Sequence, residues 1–474
     1  MTCARAIVAG LLCAVAVTAV PAAAPPSSPA SRLRLIVETD AGGDPDDEQS
    51  LVRFLLYVNE WDVEGIIANR RSAREGGNKN EERTGLAIVR RQLKAYGECW
   101  PNLVKHDPRY PPLDQLLRRT VAGYDEMTDA EDLIIAAVDS PDPRPLWYSD
   151  WGTDRGSSKN NLQRALDRVQ RERDTEGYAR FKNRLRLVSF DAFDKHTAEV
   201  APPFELWVNT FRPDREGKRW YHRFSALTAT AGGFDIERDL RTGHGPLGPL
   251  YPLNTTHPQK EGDTMTFLYL VPTGMNDPLQ PTWGSWAGRY GLRDDYPGRN
   301  YYYADVKDAW NGTTNRDNTL ARWAVALQHD FAARADWCVA TEYEKANHGP
   351  VAVLNGDRTK QIVEVAARPG ETIELSAAGS SDPDRNRVKR SWFVYPEVGS
   401  YRGDVKLISV NDKSASDQSI STETTRLVAP AVTQPQTIHV ILQLEDEGTP
   451  SLFAYRRAVI TVQTNPTDKQ DASR

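Results

Sequence analysis

Four aspartates crowd into eight residues near the amino terminus: Asp40, Asp44, Asp46 and Asp47, within LIVETDAGGDPDDEQSLVRFLL from Leu35 to Leu56. Two carboxylates held ~4 Å apart repel by about 4 kcal/mol at an effective dielectric of about 20, so a fold that converges several of them needs a counter-charge. Oxygen-only ligands suit a hard cation. Ca²⁺ tolerates the irregular coordination that a strand end and a helix start provide, which puts Ca²⁺ first and Mg²⁺ second. The spacing is not that of an EF-hand, because the sixth position counted from Asp40 is not glycine and the twelfth is Leu51. The same residues also fit a plain acidic helix start, with Asp44 as N-cap before Pro45 and Asp46, Asp47 and Glu48 favoured by the helix dipole.

Other side chains with chemical potential are scattered. Loop histidines stand at His106, His196, His244 and His257. The segment PTWGSWAGRYGLRDDYPGRNYYYADVKDAW concentrates rings, Trp283, Trp286 and Tyr290 first among them. Flat apolar faces with polar edges suit a groove for sugar rings, and they equally suit the core of a loop-rich subdomain.

Strand-like runs must position these groups. RLRLIVET, VEGIIAN, PLWYS and RLRLVSF alternate with helical patterns such as EERTGLAIVRRQLKAYG and NLQRALDRVQRER. That alternation predicts an α/β fold, a mostly parallel sheet with helices on both faces, whose ligands gather at the carboxyl ends of the strands. Asp40, Asn69, Asp150 and Asp191 each follow a predicted strand closely and are expected on one rim. From about Tyr343 helical periodicity ends. Short runs such as ETIELSAAG, KRSWFVY and TIHVILQLED, separated by turn residues, predict a β-sandwich over 350–464.

The first residues carry Arg5, an apolar run too short for a membrane span, and small residues at Ala22 and Ala24, the layout of a secretory signal peptide over 1–24. The expectation is an exported protein with no membrane attachment after cleavage. It keeps Cys99 and Cys338, which an oxidising compartment would allow to pair. A formal charge of −6 without a basic, aromatic-interleaved cluster argues against nucleic-acid polymers. NPTDKQDASR, over 465–474, reads as a disordered tail.

TDAGGDPDDEQSL resembles the aspartate signature of nucleoside hydrolases, a strand followed by Asp-x-Asp-Pro-Gly-x-Asp-Asp and an apolar helix. It is similar also to the secreted nucleoside-hydrolase-like family described as cellulose-binding, in which Thr-Asp is followed by a longer loop and Pro-Asp-Asp. SLVRFLLYVNEWDVEGIIAN, DPRPLWYSDWG, EGDTMTFLYLVP, WGSWAGRY and QHDFAARADWC extend the resemblance over most of 32–345. GSSDPDRNRVKRSWFVY is similar to PKD-type immunoglobulin-like domains, with a structural turn at Asp382 to Asp384 and Trp392 in the core.

The resemblance implies roles. Asp40 would bind metal and take a proton from the attacking water, Asp47 would be a metal ligand, and Asp46 would line the sugar site. Asp263, opening a helix in EGDTMTFLYLV, is the candidate distal ligand, with Asp277 in MNDPL second. A main-chain carbonyl near Asn160 would complete the metal site, and Asn69 or Asn80 would contact sugar hydroxyls. His244, just ahead of Asp263, is the expected acid for the leaving group. The expected function is a secreted metal-dependent glycosidase acting on polysaccharide. The alternatives are a non-catalytic carbohydrate binder and an extracellular nucleosidase.

Overall fold

The computed structural model describes residues 32–73, 82–124, 126–152, 160–189, 202–210, 221–253, 259–410, 415–416 and 419–464. The expected signal peptide and tail, together with Asn80, Asp191, His196 and His257, lie outside the described residues. No described helix is long and apolar enough to cross a membrane.

The first domain is built from strands β1 (Leu33–Thr39), β2 (Trp61–Ala68), β3 (Thr120–Ala122), β4 (Leu146–Asp150), β5 (Leu185–Ser189), β6 (Trp207–Asn209), β7 (Gly291–Leu292) and β8 (Tyr301–Tyr303). They form one sheet in the order β3-β2-β1-β4-β5-β6-β8-β7, parallel throughout except for β7 at one edge. Period-two alternation along β1 sends Leu35 and Val37 into one core and Ile36 into the other. The first core takes residues of helices α1 (Pro45–Tyr57) and α2 (Gly85–His106). The second takes those of α4 (Asp129–Asp139), α5 (Asn161–Glu172) and α6 (Thr175–Asn183), while the short α3 (Leu113–Arg118) precedes β3. Helices thus cover both faces, as the sequence pattern implies. The strand order reverses between β1 and β4. In open α/β sheets the ligand crevice lies outside the carboxyl ends of the strands at such a switch point.

Helices α7 (Tyr221–Thr228), α8 (Thr264–Leu268), α9 (Asn318–Ala321) and α10 (Ala324–Trp337) follow. The C-terminal domain has a five-stranded and a four-stranded sheet, mostly antiparallel, with a core drawn from both that includes the fully buried Trp392. The Asp382 side chain accepts from the backbone N–H groups of Asp384 and Asn386, both at 2.9 Å, so the Asp-Pro-Asp segment is a hydrogen-bonded turn.

The two domains share a core. Tyr395, Ile441 and Tyr455 of the second belong to the same apolar cluster as Trp286, Tyr290 and Trp323 of the first. Gly274, at φ +85°, lets the backbones meet, since a Cβ there would stand 2.1 Å from the Tyr455 carbonyl oxygen. Arg457 donates to the carbonyls of Met275 at 2.6 Å and Trp283 at 2.8 Å, and its Nη1 lies 2.8 Å from His439 Nδ1.

That last contact requires a neutral imidazole. Burial, reinforced by the Arg457 charge, pushes His439 down to about 3. The unfolded chain takes the proton at about 6.5, so stability present above that pH is lost as pH falls towards the folded value, by about 3 kcal/mol at pH 4. Urea unfolding from pH 7 to pH 4 is expected to show a shallower decline for His439→Gln, which keeps an acceptor for Arg457. Parallel curves for the two proteins would assign the acid sensitivity to other groups.

Candidate metal centre

β1 ends on Thr39, whose hydroxyl donates to Asp47 Oδ1 and accepts from the Ala41 N–H at 3.1 Å. The turn that follows closes with the Gly43 N–H on the Asp40 carbonyl at 3.0 Å. Gly42 occupies φ +97°, and a Cβ there would press on Ile88 Cδ1 at 2.9 Å. Pro45 then starts α1, which is buried along its whole length. Asp44 sits at the N-cap position but makes no side-chain cap bond; its carboxylate pairs with Lys260 instead. The first turn carries Asp46 and Asp47, 5% and 3% exposed.

The third carboxylate arrives from 216 residues beyond Asp47, at the start of α8. Asp46, Asp47 and Asp263 each offer an oxygen within 4.8 Å of the others. Burial first, then mutual repulsion, raises Asp47 and Asp263 well above the usual carboxylate range. Burial lifts Asp46 to about 6 against the pull of Lys260, whose Nζ stands 3.3 Å from Asp46 Oδ2. Both oxygens of Asp263 are buried without a hydrogen-bond partner. A buried carboxylate left in that state is costly, and a divalent cation would supply what it lacks. The donor set fits a hard cation.

Asp40 adjoins this trio without belonging to it. It is one of the charges that raise Asp47, and its Oδ2 lies 3.7 Å from Arg70 Nη1. Across from it, Gly152 (φ +143°) leaves β4 so close that a Cβ would stand 3.1 Å from Asp40 Oδ1.

α1 also positions Asp263. One turn beyond the aspartates, Gln49 Oε1 accepts from the N–H groups of Lys260 at 2.7 Å and Glu261 at 2.9 Å. A further turn on, Arg53 grips Glu261 through Nε at 2.5 Å and Nη2 at 3.0 Å. Tyr251, Gln259 and Thr264 donate to the same carboxylate. These bonds hold Glu261 at φ +45°, unusual for a residue other than glycine, and turn the chain so that Asp263 faces Asp46 and Asp47.

The other expected residues divide. Asn69 is buried at the rim, donating to Glu38 Oε1 at 2.9 Å and the Gly152 carbonyl at 2.8 Å. Asn160 caps α5: its Oδ1 accepts from the Gln163 N–H at 2.8 Å, and its carbonyl accepts from the Arg164 N–H at 3.1 Å. That carbonyl accepts one helical N–H and keeps a second lone pair. Asp277 closes a turn onto the Leu279 N–H and is not among the clustered carboxylates.

His244 is corrected. Its Nε2 faces the Arg238 carbonyl at 2.8 Å and its Nδ1 lies 3.2 Å from Asp336 on α10, a pairing that raises its pKa and engages both ring nitrogens with groups outside the aspartate cluster. Trp286 and Tyr290, 5% and 0% exposed, are core residues rather than a sugar surface. Trp283 stacks edge-on against His439, 4.8 Å between ring centroids, at the domain joint. Cys99 and Cys338 are buried free cysteines, not a disulfide, and the Cys338 thiol donates to the Arg334 carbonyl at 3.8 Å. Sequence reasoning missed Glu38 as a rim organiser and Arg53, Gln49, Lys260 and Glu261 as supports. The available signals were a charged residue inside the apolar run LVRFLL and an acidic one in the apolar strand LIVET.

Residues 34–290 match the family described as "Cellulose-binding Sde182, nucleoside hydrolase-like domain", and 372–462 match "Cellulose-binding protein Sde0182, C-terminal domain". A solved structure from Saccharophagus degradans is 31% identical with a TM-score of 0.70, and the match covers 91% of this chain and 100% of that one. It is described as a nucleoside hydrolase-related hypothetical protein associated with carbohydrate metabolism. The type III effector XopQ complexed with adenosine diphosphate ribose is 11% identical, the match covering 66% of this chain and 96% of that one, with a TM-score of 0.27. No curated protein matches. The extent of the family match, across both domains, makes this chain a member of the cellulose-binding family with a nucleoside-hydrolase-like domain.

Proposed function

We propose that the chain is a secreted, calcium-dependent glycosidase that cleaves glycosyl bonds of a plant or microbial polysaccharide. The observation that carries this reading is Asp263, whose two buried, partnerless oxygens converge on Asp46 and Asp47. Asp46, Asp47 and Asp263 would hold the cation, which when bound lowers the pKa of water and orients it. Asp40, one-fifth exposed beside Asp47, is suited to accept the proton of an attacking water. Asp46, tied to Lys260 on one side, is held to face a sugar ring. Water excluded by the buried floor of Thr39, Asp47 and Asp263 strengthens each of these charges.

A second reading is favoured by the engagement of His244 elsewhere, which removes the expected acid for the leaving group. On that reading the pocket holds metal and sugar without turnover. Incubation with a polysaccharide panel, in calcium or in chelator, is expected to release reducing sugar with the wild type and to release at least about 100-fold less with Asp40→Asn. Retention on a polymer without release by either protein would establish the binding reading. Ordinary turnover of inosine or uridine would overturn the carbohydrate preference.

A further inference from the structure

Glu38, the penultimate residue of β1, is wholly buried, and its Oε1 accepts three bonds: Asn69 Nδ2 at 2.9 Å, the Asn161 backbone N–H at 3.1 Å and Asn161 Nδ2 at 2.8 Å. The other oxygen accepts from the Tyr148 hydroxyl. A backbone N–H can only donate, so Oε1 is an acceptor whatever else the carboxyl does, and any amide turned towards it presents its NH₂ group. The second hydrogen of each amide is fixed in the same way, Asn69 on the Gly152 carbonyl at 2.8 Å and Asn161 on the Gly123 carbonyl at 3.0 Å. Both amide orientations are therefore set by partners that only accept. The consequence is that Asn69 Oδ1 and Asn161 Oδ1 face away from Glu38, and both are buried with no hydrogen-bond partner. Asn69 and Asn161 are 4% and 1% exposed, and Asn69 is bound to Gly152, which lies against Asp40.

We infer that Glu38 is a positioning residue that turns Asn69 and Asn161 so that two carbonyl oxygens accept hydrogens from the ligand, selecting a polyhydroxylated ring. Asn161 thereby joins the ligand contacts. The inference rests on the carbohydrate reading above and gives it a donor–acceptor pattern: hydroxyl hydrogens satisfy the two oxygens, whereas a ligand edge bearing only acceptors is rejected.

Two substitutions separate positioning from charge and from packing. Glu38→Gln keeps an acceptor oxygen for the three N–H donors, while its NH₂ group can serve the Tyr148 side. Glu38→Met keeps the volume and removes every acceptor. Calorimetric titration of the full chain with cellohexaose in calcium is expected to show Glu38→Gln within about threefold of wild type and Glu38→Met weakened at least about tenfold. Asn161→Ala is expected to weaken binding about tenfold and covers the case in which Glu38→Met fails to fold. Calcium titration of the same proteins is expected to be unchanged. Equal sugar affinity in wild type, Glu38→Met and Asn161→Ala would overturn the inference and leave the carbohydrate reading intact. Loss in Glu38→Gln as large as in Glu38→Met would assign Glu38 a charge role and also overturn it. A wild type that binds calcium but no cellohexaose would overturn the carbohydrate reading, and this inference with it.

Discussion

Arg53→Met is expected to cost about 3 to 5 kcal/mol of unfolding free energy, the range for stripping one partner from a buried ion pair. Arg53 and Glu261 are both 0% exposed, so no water replaces the guanidinium once it is gone. The side chain also donates to Gln328 Oε1 at 2.7 Å and stands over the Phe331 ring, its Cζ 3.6 Å from the centroid. Methionine recovers some of that packing and none of the charge. Because Glu261 sits at φ +45° under the control of these bonds, its release lets Asp263 drift from Asp46 and Asp47. Calcium affinity is therefore expected to fall together with stability. Adding Glu261→Gln to Arg53→Met removes the stranded charge and is expected to restore at least about half the lost stability without restoring calcium affinity. Urea unfolding and calcium titration of the single and double variants check both parts. Stability within about 1 kcal/mol of wild type for Arg53→Met would show that Glu261 is held by Tyr251, Gln259 and Thr264 alone.

What the sequence disclosed and what it hid follow from the range of the forces involved. The strand, turn and helix around Asp40 to Asp47 are local, written in alternation, glycines and a proline, and they fold as the pattern says. The parallel sheet and the change to β-structure after Tyr343 are also local signals repeated along the chain. Contacts that close the site are not local. Asp263 and Asp277 carry similar motifs, separated in the sequence only by the better helix that Asp263 opens; what turns Asp263 inward is the hold of Gln49 on Lys260 and of Arg53 on Glu261, across 211 and 208 residues. Aromatic residues between Trp283 and Trp310 have the composition of a sugar groove, but the second domain packs on them and makes several of them core. The fate of His244 depended on Asp336, which α10 brings to it from 92 residues away. Glu38 was visible as an acidic residue in an apolar strand; that it sets two asparagine amides could be seen only with β2, β4 and α5 in place.

Calcium is expected to stabilise the wild type by about 2.7 kcal/mol at a hundredfold excess over its dissociation constant, and to do nothing for Asp263→Asn. The argument turns on what the three carboxylates do without a cation. Asp47 and Asp263 are then buried like charges whose pKa values rise, and Asp46 rises to about 6. A carboxyl with a raised folded pKa contributes stability that is present at low pH and lost as pH rises through that value, so the cation-free protein weakens towards neutral pH. A bound cation reverses this, because it favours the ionised form and must displace the protons to bind. The calcium increment should therefore grow from pH 5 to pH 8. In Asp263→Asn the orphaned charge is gone and the amide can donate to Asp46 or Asp47. That variant is expected to be more stable than the wild type in chelator and less stable in calcium, a crossing that general damage to the fold does not produce. Thermal unfolding of both proteins in calcium and in chelator, at pH 5 and pH 8, reads the crossing directly. Parallel shifts of the two proteins with calcium would place the cation somewhere other than on Asp263.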